Sequence, residues 1–197
     1  MSFRKEKKYR LTPLEFNILK DSLIQNRMIP LHDSRTINSI YYDSQFTDMH
    51  YHSEEGVLPR KKVRVRWYKD PSNSSIETKV SSIEGRFKTT QSLCESSAGR
   101  FPKTILDGMY GSLTPSLLVS YTRKYYTIKG LRVTFDDNIS YKNLRQNVKS
   151  IFSDPERVME VKVSIDTPED FIEKLVPYPT SRFSKYSRGL LISKREM

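Results

Sequence analysis

Apolar and charged positions alternate strictly along "KVRVRW": Val63, Val65 and Trp67 are interleaved with Lys62, Arg64 and Arg66. A period of two marks a β-strand with two unlike faces. Four further stretches repeat the pattern. Leu131, Val133 and Phe135 alternate with Arg132, Thr134 and Asp136, and Met159, Val161, Val163 and Ile165 with Glu160 and Lys162. Ile76, Thr78 and Val80 oppose Glu77 and Lys79, while Arg123 shares a face with Tyr121 and Tyr125. Phe3 to Leu11, "INSIYYDS" from Ile37 and "GRFKTTQSL" from Gly85 read as strands too. The turn chemistry of "DPSNSS" predicts a hairpin into "IETKV", and "KG" at Lys129 and Gly130 joins two long strands tightly.

Helical spacing replaces alternation at Leu14, Ile18, Leu19 and Leu23. With Thr12 as N-cap, Pro13 first and Glu15 three residues after the cap, it predicts a helix over Pro13–Gln25. Thr167 as cap and Pro168 as first residue predict another through "EDFIEKLV", and Phe101 to Met109 reads as a short third. The fold class is α+β: an antiparallel β-tunnel or barrel of about eight strands braced by a few helices. Nothing resembles a repeat or linker, so one domain over residues 1–197 is expected.

Charge narrows the partners. The chain has 34 Lys and Arg against 23 Asp and Glu, a net charge of +11, which favours an anion. A lone cysteine, Cys94, excludes an internal disulfide framework and fits a reducing compartment. The start "MSFRKEKKYRL" has no apolar h-region, and no run approaches the ~20 apolar residues of a span, so a cytoplasmic protein is expected. No Gly-rich phosphate loop occurs, which excludes a P-loop fold. His50 and His52 in "HYH" lack the Cys or His cluster that would complete a zinc site, and Asp43 reads as a structural pair for a cation or backbone donor. "SSIEG" and "SSAG" read as turns.

A sheet with one solvated face gives the same alternation. Here, however, Arg and Lys recur on five strands without enough acids to neutralise them. The apolar helix stripes also need a surface to cover. If they cover the greasy strand faces, the cationic faces line an interior. Such an interior is a wet channel for anions, because unpaired buried charge is too costly for a dry core.

These motifs match a known family in order. "RKEKKY", "INSIYYD", "RKKVRVRWY", "IETK", "SYTRKYY", "LRVTFDDNI", "VMEVK" and "RFSKY", from about Arg4 to Tyr186, resemble the VTC domain. That is the catalytic domain of the vacuolar transporter chaperone polyphosphate polymerases, within the triphosphate tunnel metalloenzyme superfamily. The resemblance implies phosphate-binding, tunnel-lining roles for Lys8, Arg64, Arg66, Lys79, Lys88, Arg123, Arg132, Lys162, Arg182, Ser184 and Lys185. Of these, Lys8, Arg64, Arg66, Lys79, Arg123, Arg132 and Lys162 are the implied catalytic cations. It makes Glu160 the ligand of Mn²⁺ or Mg²⁺, and Glu6 the acidic position of the first strand, where Arg4 departs from the wider "E-x-E-x-K" pattern.

The implied partners are ATP and polyphosphate, with no DNA and with room for a membrane partner on another chain. Three activities stay open: phosphoryl transfer from ATP to a growing polyphosphate chain, hydrolysis of a triphosphate, and passive binding of polyphosphate or nucleic acid. Tyr41, Tyr42, Trp67, Tyr125 and Tyr126, interleaved with basic residues, resemble a base-stacking set, but tyrosine at strand positions is more often there for packing. The excess of cations over carboxylates on the strand faces favours transfer over two-metal hydrolysis.

Overall fold

The first strand runs directly into the first helix, through a cap written in the sequence. β1 (Arg4–Leu11) is followed by α1 (Pro13–Gln25). Between them the Glu15 N–H donates to Thr12 Oγ at 3.2 Å, and the Thr12 N–H donates to the Glu15 carboxylate at 2.7 Å. A computed structural model describes residues 4–93, 101–146 and 150–194. The remaining strands are β2 (Ile29–Asp43), β3 (Arg60–Trp67), β4 (Ser75–Ser82), β5 (Gly85–Ser92), β6 (Ile105–Asp107), β7 (Gly111–Ile128), β8 (Leu131–Asn143), β9 (Phe152–Ser153) and β10 (Arg157–Ser164). The remaining helices are α2 (Asp48–Glu55), α3 (Glu169–Leu175) and α4 (Lys185–Lys194). The class is α+β, with an antiparallel sheet in the order β1-β10-β8-β7-β2-β3-β4-β5. β6 pairs with β7 and β9 with β8. At the β7–β8 turn, Lys129 (φ 47°) and Gly130 (φ 79°) are both left-handed, as a two-residue hairpin of this twist requires.

The chain divides into two compact units. The first comprises residues 1–35, 121–139 and 153–183, the second 36–120, 140–152 and 184–197. In the first, α1 and α3 lay Phe16, Leu19, Leu23 and Ile172 on a core of Tyr9, Val133, Phe135, Met159 and Val161. Phe16 meets Phe135 edge-on at 5.1 Å. In the second, Val63, Val65 and Trp67 pack with Ile40, Tyr42, Met49 and Leu113. The apolar face of "KVRVRW" is therefore the covered one.

Local expectations fail at several points. Phe101 to Met109 contains no helix. Ile105–Asp107 pairs with β7, and the Asp107 carboxylate takes the N–H groups of Met109 and Tyr110 in a turn. The helical spacing of Phe101 and Ile105 reflects a shared core instead. Thr167 does not cap α3: its N–H closes a turn onto the Ser164 carbonyl, and Pro168 is the N-cap with no side-chain bond. α2 and α4 have no counterpart among the expected helices, and β2 starts eight residues before Ile37. Phe3, Cys94 and the "SSAG" turn lie outside the described residues. Among the described residues no helix is long and apolar enough to cross a membrane.

Asp43 positions α2. Its carboxylate accepts the N–H groups of Ser44, Met49 and His50, and the Tyr186 hydroxyl at 2.6 Å. α4 is held by close approach, since a Cβ on Gly189 would lie 2.5 Å from Tyr141 and 2.6 Å from Leu117. A helix-interior glycine costs about 1 kcal/mol against alanine, so contact rather than propensity explains it. Gly189→Ala is therefore expected to lower stability by about 1–3 kcal/mol in denaturant titration. Unchanged or higher stability would show that α4 has room to shift.

Candidate functional site

Pairing register places the charges of the second unit in rows. Lys62, Lys79 and Lys88 stand opposite one another on β3, β4 and β5. Tyr41, Arg64 and Glu77 form the next row on β2, β3 and β4, and Ser39, Arg66 and Ser75 the third. Like charges directly opposite are destabilising; here Lys88 is offset by Glu77 and Lys62 is bonded to Ser184, and an anion would offset the row further. Within the second row, Arg64 donates to the Glu77 carboxylate at 2.5 and 2.8 Å and to the Tyr41 hydroxyl at 2.9 Å. Lys88 reaches the same carboxylate at 2.6 Å and Arg66 at 3.7 Å. Burial alone would raise the Glu77 carboxyl, but Arg64, Arg66 and Lys88 outweigh it and hold it at about 2. Burial would also raise the Tyr41 phenol. Arg64, Arg66 and Lys62 bring it down to about 7 instead.

Ser184 and Lys185, from the "RFSKY" motif, sit at the start of α4 in this unit. Lys62 donates to Ser184 Oγ at 2.8 Å, and Tyr41 stacks on Tyr186 at 4.9 Å. Lys62 and Tyr41 are the residues that motif reading left out of the site. Lys62 carried a signal, because it shares a strand face with Arg64 and Arg66. Tyr41 carried only its β-propensity and its place among the aromatics interleaved with basic residues, since its position in the site depends on register.

The first unit holds its own rows. Lys8, Glu160 and Thr134 are in register on β1, β10 and β8, and so are Glu6, Lys162 and Arg132. Arg123 forks onto Asp136 at 2.5 and 2.7 Å, and Asp136 is 1% exposed. Glu160 lies 3.0 Å from Lys162 and 3.9 Å from Arg123, while Lys8 contacts Glu6 at 3.4 Å and donates to the Phe183 carbonyl at 3.2 Å. Burial would raise the Glu160 carboxyl, but Arg123, Lys162, a hydrogen bond with Glu6 and Lys8 hold it well below the ordinary range. Arg132 is exposed, its guanidinium 6.0 Å from the centre of the Tyr125 ring, and Arg182 is exposed in the segment before α4. Every sequence-predicted site residue therefore has a place: Lys8, Arg123, Arg132, Glu160, Lys162 and Arg182 in the first unit, and Arg64, Arg66, Lys79, Lys88, Ser184 and Lys185 in the second.

Among the described residues no group of three or more His, Cys, Asp or Glu gathers into a metal cage. His52 Nδ1 instead meets the Tyr110 hydroxyl at 2.9 Å. A hard cation that shares its coordination with phosphates needs only one or two carboxylates. Glu160 and Glu6 supply these, both oxygen donors and within hydrogen-bonding reach of each other. Beside Glu160 in register, the buried Thr134 hydroxyl has no hydrogen-bond partner. The donor set fits Mn²⁺ or Mg²⁺.

The family model for the VTC domain matches residues 3–194. Among solved structures, a putative adenylate cyclase from Bacillus halodurans is similar, with a TM-score of 0.59 and 14% identity over 93% of this chain and 94% of that one. The PH1819 protein from Pyrococcus horikoshii gives a TM-score of 0.56 and 15% identity over 98% of both chains. A putative adenylyl cyclase from Hippeastrum, described as having a dominant triphosphatase activity, gives a TM-score of 0.55 and 14% identity over 96% of both. At these identities the likeness shows the fold. No functionally curated protein matches the chain.

Proposed function

The chain belongs to the VTC domain family, and from that premise we propose that it transfers the terminal phosphoryl group of ATP to a growing polyphosphate chain along its cationic strand faces. The observation that carries this reading is the register of like charges: Lys62, Lys79 and Lys88 in one row, Lys162 and Arg132 in another. A strand face that sets cations opposite cations is built for a polyanion rather than for water.

Phosphoryl transfer needs charge neutralisation and in-line positioning more than a strong nucleophile. In the first unit Arg123 offers a guanidinium oriented by Asp136, and Lys8 and Lys162 add point charges. In the second, Arg64 and Arg66 are oriented by Glu77, Lys79 and Lys88 add point charges, and Lys62 with Ser184 extends that face toward α4. Glu160 and Glu6 would hold the divalent cation, which when bound neutralises phosphate charge and orients the triphosphate.

The second reading, hydrolysis with water as acceptor, is favoured by the second carboxylate of Glu6 beside Glu160. Against it, Glu77 and Asp136 are engaged by arginines. With ATP and Mn²⁺ the purified protein is expected to form a polyphosphate ladder on a gel, with ADP as co-product. Orthophosphate alone, with several metals and with a short polyphosphate primer, would overturn transfer in favour of hydrolysis.

A further inference from the structure

A cavity of about 260 Å³ in the first unit is lined by Pro30, His32, Asp33 and Ser34 of β2 and by Lys124, Tyr125 and Tyr126 of β7. It holds none of the phosphate-binding cations assigned above, yet it adjoins them through one ring. The His32 imidazole lies on the Tyr125 ring at 3.9 Å between centroids. The guanidinium groups of Arg35 and Arg132 lie 5.8 and 6.0 Å from the centre of the same ring. Arg132 in turn stands in register with Lys162. One ring therefore joins an open aromatic cleft to the cationic row.

The first half of β2 is exposed from Ile29 to Thr36, so one wall of the cleft is open to solvent. His32 is exposed there, while Tyr125 beneath it is 6% exposed and fixed. The cleft thus pairs an accessible aromatic face with a carboxylate, a hydroxyl and a lysine, beside cations that attract anions. An uncharged aromatic group attached to a polyphosphate satisfies both parts at once.

We propose that this cleft binds the nucleoside end of a nucleoside triphosphate. The base stacks on His32 and the Asp33 carboxylate accepts from the ribose hydroxyls, while the phosphates extend past Arg132 toward Lys162. This assignment depends on the triphosphate reading of the cationic row, so its test uses two ligands. Binding of ATP and of inorganic tripolyphosphate, which has no base, is measured by isothermal titration on the wild type, His32→Ala and His32→Phe. His32→Ala is expected to weaken ATP by about tenfold, the scale of one lost base stack, and to leave tripolyphosphate unchanged. His32→Phe restores ATP binding. If tripolyphosphate binds and ATP affinity does not respond to His32, or both ligands weaken equally in His32→Ala, the nucleoside cleft is wrong and the triphosphate reading stands. If the wild type binds neither ligand, both fall.

Discussion

Glu160→Gln is expected to abolish metal-dependent turnover, while the affinity for tripolyphosphate measured in chelator is expected to stay the same or rise. Glu160 is buried among Arg123, Lys162 and Lys8, on the face assigned to phosphate, where a carboxylate repels the ligand. Its charge becomes useful when a divalent cation stands between it and the phosphates. Glutamine keeps the shape and removes the charge, so the cation is lost but Arg123 and Lys162 still face the anion. Lys162→Ala acts the other way and weakens binding with or without metal. A rival account makes Glu160 only the ion-pair partner of Lys162, 3.0 Å away. Steady-state turnover with Mn²⁺ separates them: near-normal activity of Glu160→Gln means the ion is held elsewhere.

Arg64→Ala is expected to lower folding stability by about 2–3 kcal/mol at neutral pH, besides weakening triphosphate binding, because it strips the closest partner from a buried carboxylate. The alternation pattern alone treats Arg64 as a ligand-facing residue whose loss leaves the fold intact. The structure changes that expectation: Glu77 is 4% exposed and takes two bonds from Arg64, with Lys88 and Arg66 left to share it after the substitution.

The effect has a pH signature. A carboxyl held at about 2 when folded, against an ordinary 4.5, adds stability that is fully present above 4.5. That stability disappears as pH falls from 4.5 through 2. The gap between wild type and Arg64→Ala is therefore wide at neutral pH and narrows across that acid window. Denaturant titrations of both proteins between pH 7 and about 2 measure it. A gap that does not change with pH would mean that the loss is one of packing.

Much of this was legible because it is written locally. The Thr12–Glu15 box set α1 at the expected limits, Pro13–Gln25, but of the expected stripe only Leu19 and Leu23 are buried, with Phe16, while Leu14 and Ile18 are exposed. Strict alternation put Val63 and Val65 in the core and Arg64 and Arg66 on the opposite face. α2 was not legible, since the side chain of its N-cap Thr47 bonds the Phe46 carbonyl rather than capping the helix, and its N–H groups are met by Asp43, several residues upstream. α4 depends on distant contacts in the same way, through Gly189 against Tyr141 and the Tyr186 bond to Asp43.

The site divides along the same line. Motifs name the cations one strand at a time. Which cation faces which depends on register, so the Lys62–Lys79–Lys88 row, the Glu77 clamp and the place of Tyr41 emerge only when the strands pair.

The fate of the terminal phosphate decides between transfer and hydrolysis. ATP labelled in its γ-phosphoryl group is incubated with the protein, Mn²⁺ and a short polyphosphate primer, and the label is followed over time. Phosphoryl transfer along the cationic faces predicts that label enters chains longer than the primer in step with ADP release, and that Arg64→Ala and Glu160→Gln stop both. Label that appears only as orthophosphate, with the primer never lengthened, would contradict it.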